Sequence, residues 1–177
     1  MATNAEDEKH LGYLRQALEE ARKCTPVPTA FCVGCVIVAH PSASLKGIDE
    51  DELIIGRGYS RELPGNTHAE ANALAKARQL ATSPSTSETY TTAIVEELLS
   101  TASVYTTLEP CSVRTSGLAP CAKALLDAKV KRCYIGAAEP PDFVNCEGAN
   151  MLKEGGVEVH WIKGLEDECL KTARGEW

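Results

Sequence analysis

The chain has 177 residues, 44% of them hydrophobic, and a formal net charge of −7. That suits one domain with a full core and disfavours nucleic acid, whose backbone is held chiefly by electrostatics. There is no apolar run of about 18 residues and no signal peptide, so a soluble, cytoplasmic protein with no membrane partner is expected.

Residues 1–7 are polar and expected to be loose. From 8 to 23 the apolar residues Leu11, Leu14, Leu18 and Ala21 recur at helical spacing, and two prolines in 24–28 end that helix. A β-branched run over 31–39 reads as a buried strand, in which Gly34 is expected to mark close approach of the backbone to a ligand. After a polar connection, 52–59 reads as its hairpin partner. A loop over 60–66 delivers the chain to a helix over 68–81, whose inner face is drawn from Ala71, Leu74, Ala75 and Ala77, with Arg78 outward.

Residues 82–92 are rich in Ser and Thr and read as a flexible surface insertion. A short helix over 93–99 precedes a strand over 102–108. Glu109-Pro110-Cys111 follows that strand, at the end where open α/β sheets carry their ligand sites. Pro120 pre-sets a helix running to about 128, with Cys121 at its N-terminus, a place that favours the thiolate. Then come a strand over 130–137, a short helix over 148–153 ended by Gly155-Gly156, a strand over 157–162 and a helix over 165–173. Trp177 reads as a free tail or as a residue that folds over the site. The order predicts a single domain over 1–177, a three-layer α/β/α sandwich around a five-stranded mixed sheet, with the hairpin antiparallel and the later strands parallel.

The chemistry is carried by Thr67-His68-Ala69-Glu70, Pro110-Cys111 and Pro120-Cys121. His68, Cys111 and Cys121 are the borderline-soft donors that zinc takes, and a catalytic zinc keeps three protein ligands and a water. The metal lowers the pKa of that water to about 7. Glu70 is the expected catalytic residue: not a ligand, but placed to move protons between water, a ring nitrogen and a leaving amine. Two plainer readings stand beside this. Thr67-x-x-Glu70 also fits a helix capping box, and the cysteines also suit buried apolar sites. The eight cysteines are spread over strands (Cys32, Cys35, Cys133), helices (Cys24, Cys169), the motif (Cys111, Cys121) and a loop (Cys146), which points to reduced thiols.

These motifs resemble the cytidine-deaminase-like superfamily and, within it, the fungal type of riboflavin-biosynthesis deaminase. The resemblance runs from about residue 10 to 162 and includes 107–112, 116–121, Gly136-Ala137-Ala138-Glu139-Pro140 and 155–159. Most nucleoside, base and tRNA deaminases use P-C-x-x-C, whereas nine residues separate Cys111 from Cys121 here, as in the riboflavin branch. The bacterial members of that branch carry Asn-Pro before the first strand and a His before the H-A-E motif. Ala30-Phe31 and about Ser60 stand there in this chain, so those contacts do not carry over.

The resemblance implies strand order 2-1-3-4-5, one zinc ion per chain, a homodimer, and a substrate. That substrate is 2,5-diamino-6-ribitylamino-4(3H)-pyrimidinone 5′-phosphate, which loses its 2-amino group as ammonia. Backbone N–H groups near Ala69, and Asn66, Arg114, Thr115 and Ser116, flank the motif as substrate-binding candidates. Arg61 is the next candidate for the phosphate. The alternatives are a deaminase of another nucleobase, nucleotide or tRNA base, and a zinc-stabilised binding module without turnover.

Overall fold

The computed structural model describes residues 5–43, 45, 48, 50–114, 117–140, 142 and 146–177. Its sheet has the order β2-β1-β3-β4-β5. β1 (Gly34–Ala39) pairs antiparallel with β2 (Leu53–Tyr59) and with β3 (Ser103–Leu108). β3, β4 (Arg132–Ala137) and β5 (Glu158–Trp161) are parallel.

Alternate residues of each strand feed two cores, as the period of two requires. Cys35, Ile37, Val104, Cys133 and Ile135 face α2 (Ala69–Gln79), α3 (Thr92–Thr101), α4 (Cys121–Asp127) and α5 (Gly148–Glu154). Val36, Val38, Tyr105 and Tyr134 face α1 (Ala5–Ala21) and α6 (Glu166–Ala173). With both faces covered, β1 and β3 are buried at every position. Their sequences are therefore apolar or small throughout, not alternating.

Several details depart from the sequence reading. Residues 5–7 are helical, not loose: Glu6, Asp7 and Glu8 form an acidic first turn, favourable at the positive end of a helix. β1 begins at Gly34, so Cys32 lies before the strand and Cys24 beyond the end of α1. Gly34 serves packing, not a ligand, because a Cβ there would fall 1.9 Å from the Ala17 carbonyl oxygen. On α2 the buried residues are Ala69, Glu70, Asn72, Ala73, Leu74 and Ala77, and Ala75 is exposed.

The Ser/Thr-rich segment is a chain of turns, not a loose insertion. Thr86 Oγ1 donates to the Leu80 carbonyl at 2.7 Å, Tyr90 packs on the core, and Thr91 caps α3 through the Ile94 N–H. No helix among the described residues is long and apolar enough to cross a membrane.

Candidate metal centre and its pocket

Three structural units deliver the metal-binding side chains. His68 is the N-cap of α2 with extended backbone (φ −97°, ψ 154°). Cys111 follows β3 on a segment held at several points. The Glu109 N–H donates to the Ala137 carbonyl at 2.9 Å, and Glu109 Oε1 accepts the Ala149 N–H at 2.8 Å. Gly148 presses so closely on Pro110 that a Cβ there would sit 1.6 Å from its carbonyl oxygen. Cys121 opens α4, and the Ala122 N–H donates to the Cys111 carbonyl at 3.1 Å.

His68 Nδ1 lies 3.5 Å from Cys111 Sγ and 3.4 Å from Cys121 Sγ, and all three donor atoms fall within 4.8 Å of one another. Zinc bonded at about 2.0–2.3 Å in a tetrahedron holds its ligand atoms about 3.5 Å apart, so the donor set fits that ion in type and spacing. Among the described residues no fourth His, Cys or carboxylate joins the cluster, which leaves one coordination position for water.

The proton is unevenly shared between the two thiols. Cys111 is held at about 4, first by the hydrogen bond from the Cys121 thiol and then by His68 and the Cys121 N–H, which reaches Cys111 Sγ at 3.3 Å. Cys121 is pushed up because it donates that bond and is buried. The backbone N–H at the start of α4 thus favours the Cys111 sulfur, one loop away, rather than the sulfur of Cys121 itself. The hydrogen bond to Cys111 raises His68 in turn, against its burial.

Glu70 is 3% exposed. The capping box is not formed: the N-cap is His68, with no side-chain cap bond. Thr67 Oγ1 instead meets the Leu63 backbone at 3.2 Å on both its N–H and its carbonyl and accepts from Asn72 Nδ2 at 3.1 Å. Glu70 Oε1 accepts from Thr106 Oγ1 on β3 at 3.2 Å. Burial, then the nearby Cys111 charge, raises its carboxyl above the usual range, as suits a group that both takes and returns a proton.

A cavity of about 170 Å³ opens over these groups. Arg61, Asn66 and Arg114 line it together with His68, Glu70 and Cys111. So do Ala30, Phe31 and Ser60, the positions where the bacterial pattern is broken. Arg114 Nη2 donates to the Asn66 carbonyl. Arg61 is largely committed to the fold: Nη1 donates to the Phe31 carbonyl at 3.0 Å, and Nη2 to the Thr25 carbonyl at 3.0 Å and to Cys24 Sγ at 2.8 Å. Ala69 is wholly buried and not on the cavity wall. Thr115 and Ser116 lie outside the described residues. Sequence reading missed Thr106, which is polar inside an apolar strand, and Glu139, which follows a strand as Cys111 does.

Residues 7–137 match the cytidine and deoxycytidylate deaminase zinc-binding region. The chain belongs to that deaminase family. Among its relatives, the diaminohydroxyphosphoribosylamino-pyrimidine deaminase of Schizosaccharomyces pombe is 38% identical over 164 residues, 93% of this chain and 35% of that protein. The riboflavin biosynthesis protein RibD of Actinobacillus pleuropneumoniae is 32% identical, over 90% of this chain and 34% of that protein. The chain thus spans about a third of the length of these curated relatives. Among solved deaminases, the Aspergillus oryzae Rib2 deaminase, as a C-terminal deletion mutant, superposes with a TM-score of 0.76 at 34% identity, covering 94% of this chain and 91% of that one. The same deaminase in complex with DARIPP gives 0.73 at 32%.

Proposed function

We propose that this chain is a zinc-dependent deaminase that hydrolyses the 2-amino group of 2,5-diamino-6-ribitylamino-4(3H)-pyrimidinone 5′-phosphate, releasing ammonia, as a step of riboflavin biosynthesis. The observation that carries deamination is Glu70: a buried carboxyl beside a three-donor centre, free of the capping role that would have explained it. The nine-residue loop between the thiolates and the likeness to the S. pombe enzyme and the Rib2 deaminase support the particular substrate.

His68, Cys111 and Cys121 would hold a zinc ion, which when bound would bring the pKa of a water down to about neutral. Glu70 accepts the proton of that water and passes it to the ring nitrogen beside the reacting carbon. It then carries a proton to the departing amine, so the C–N bond is exchanged for a C–O bond and ammonia leaves. Thr106 holds the Glu70 carboxylate in place during both transfers. Asn66 and the backbone near Ala69 are the proposed partners of the ring edge. Arg114, with Thr115 and Ser116, is proposed for the phosphate, and Arg61 for a supporting charge. The proposal includes a cytoplasmic homodimer. Val27, Leu63, Val113 and Leu118 are exposed apolar side chains on loops, of which Val113 lines the cavity, and sedimentation velocity tests whether a second copy covers them.

The deciding experiment measures zinc content by elemental analysis and ammonia release from this pyrimidine, from cytidine and from deoxycytidylate. One zinc per chain with release from the ribitylamino compound is expected. Release only from cytosine compounds replaces the substrate, and bound zinc without any release makes the chain a binding module.

A further inference from the structure

Helix α2 has two possible starts, one residue apart. With Thr67 as N-cap, Thr67-x-x-Glu70 closes a capping box: the hydroxyl takes the Glu70 N–H and the carboxyl reaches back to the Thr67 N–H. His68 would then be the first helical residue, with ψ near about −42°. The fold uses the other start. His68 is the N-cap with ψ 154°, and its carbonyl takes the first bond of the helix, from the Asn72 N–H at 3.0 Å. The choice decides the chemistry. In the capping-box start the backbone engages Glu70, and the His68 ring leaves its place beside Cys111 and Cys121.

Thr67 is kept out of the helix at both of its oxygens. Its carbonyl accepts the Arg61 N–H at 2.7 Å, which closes the loop over 61–67. Its hydroxyl accepts from Asn72 Nδ2 at 3.1 Å and meets the Leu63 backbone at 3.2 Å. Asn72 is the anchor of this set. It lies on α2 one turn beyond His68 and is 3% exposed. An amide nitrogen has two protons to give, and Asn72 Nδ2 also donates to the carbonyl of Tyr59, the last residue of β2, at 2.8 Å. Its approach to β2 is close, since a Cβ on Gly58 would meet the Asn72 Cβ at 2.9 Å.

We infer that Asn72 is a positioning residue for this site: by holding the Thr67 hydroxyl outside the helix it fixes the start of α2 at His68. That keeps the His68 ring beside the two cysteines and leaves the Glu70 carboxyl free for proton transfer. Asn72 does not line the cavity, so it acts through Thr67, His68 and Glu70. The inference deepens the deaminase reading above and, for its kinetic part, rests on it.

The test uses the zinc-loaded protein with Asn72→Leu, Asn72→Asp, and Asn72→Leu combined with Thr67→Val. Turnover of the proposed substrate, the rate of zinc loss to a chelator and melting temperature are measured for each. Asn72→Leu keeps the volume and removes both donated bonds. It should lower kcat and speed zinc loss about 10- to 100-fold each, the usual cost of disturbing a group that orients metal ligands. In the double variant no hydroxyl is left to cap the earlier start, so kcat and zinc retention should both rise above those of Asn72→Leu, although a further polar group is gone. An Asp carboxylate still accepts the Thr67 proton. Asn72→Asp should therefore keep more activity and zinc than Asn72→Leu while melting no higher, since it buries a charge against the Tyr59 carbonyl. A residue that only fills the core predicts the reverse: a double variant worse than Asn72→Leu, and losses that follow melting temperature. That result, or Asn72→Leu within about twofold of wild type in both rates, overturns the assignment. If Asn72→Leu does not fold, Asn72→Asp decides, and a loss of more than about tenfold in both rates overturns it. If wild type releases no ammonia, the deaminase reading fails, and the zinc-loss measurements still decide the role of Asn72.

Discussion

At one end of the sheet His68, Cys111 and Cys121 turn their donor atoms toward one another. Under α1, a different set of rings lies across the same sheet. Tyr105, Tyr134 and His160 are in register on β3, β4 and β5, stacked at 4.8 and 4.9 Å between centroids, with His10 of α1 laid on Tyr134 at 4.2 Å. Both sets bury titratable side chains, yet their hydrogen bonding differs in kind. His10 Nδ1 meets the Tyr105 hydroxyl at 2.8 Å, and His40 Nε2 meets Ser103 Oγ at 2.9 Å. Glu52 takes both Lys9 at 2.7 Å and the Tyr13 hydroxyl at 2.9 Å. Under α1 each of these polar groups is answered by protein. At the metal centre the three donors chiefly face one another, with the Cys121 N–H on Cys111 Sγ, and Glu70 meets the Thr106 hydroxyl and the Cys121 thiol. Burial of a titratable group therefore does not mark function here; convergence of donors on a shared point does.

The comparison breaks most easily at the ligands. Cys111→Ala or His68→Ala should lose zinc, activity and thermal stability together, because two ligands hold zinc poorly and metal binding is coupled to folding. Full zinc by elemental analysis in either variant would show that the cluster is not the metal site.

The next largest effect is expected from Glu70→Gln. Gln keeps an oxygen for Thr106 and fills the same volume, so zinc and melting temperature should hold while kcat falls about 10²–10⁴-fold. Near-normal turnover with a lowered melting temperature would return Glu70 to a structural role.

Arg114→Ala sharpens the picture of the cavity mouth. It should cost about 10- to 150-fold in kcat/KM on the phosphorylated substrate and almost nothing on the dephosphorylated one. Equal losses on both would mean that its bond to the Asn66 carbonyl, which ties two loops together, is what matters.

Under α1 the expected effects are smaller and fall on stability alone. Tyr105→Phe should cost about 1 kcal/mol from the lost hydrogen bond and leave kcat unchanged, as judged by urea unfolding and steady-state kinetics. This cluster also sets an acid limit. Burial lowers His10 and His40 below the ordinary value of 6.5, so the unfolded chain takes up protons before the folded one does. Stability is then full above about pH 6.5 and declines as pH falls below it. Glu52 adds a second loss below its ordinary 4.5, since the bonds from Lys9 and Tyr13 outweigh its burial and hold it low. His40→Asn should flatten the melting-temperature profile between about pH 6.5 and 5; an unchanged slope would place the acid sensitivity elsewhere.

The central strands were legible in the sequence because β1 and β3, buried on both faces, are short uninterrupted runs without charged residues. The strand order came from the resemblance, and the sheet has it. The metal ligands were legible because each sits in a short motif at the edge of an element. What stayed hidden is tertiary. The partner of Glu70 is Thr106, 36 residues away, and nothing near Arg61 in the chain says that it will be spent on the Thr25 and Phe31 carbonyls. Boundaries failed where tertiary demands overrode pattern. Phe31 and Val33 are strand-like, yet both line the cavity and the first ladder residue is Gly34. Glu139 was included in the matching segment but given no role, because a carboxylate after a strand has no local signature.

Gly148 carries no reactive atom and touches no proposed ligand, yet it sits against the Pro110 carbonyl with no room for a methyl group. Any other side chain would have to push back the residue that precedes Cys111. In a saturation screen, position 148 should therefore score alongside the cysteines, and its variants should be rescued by added zinc more readily than by lower temperature. For inherited or selected variation in this chain, the mutational footprint of the metal centre is wider than its contact list and extends to the first residue of α5.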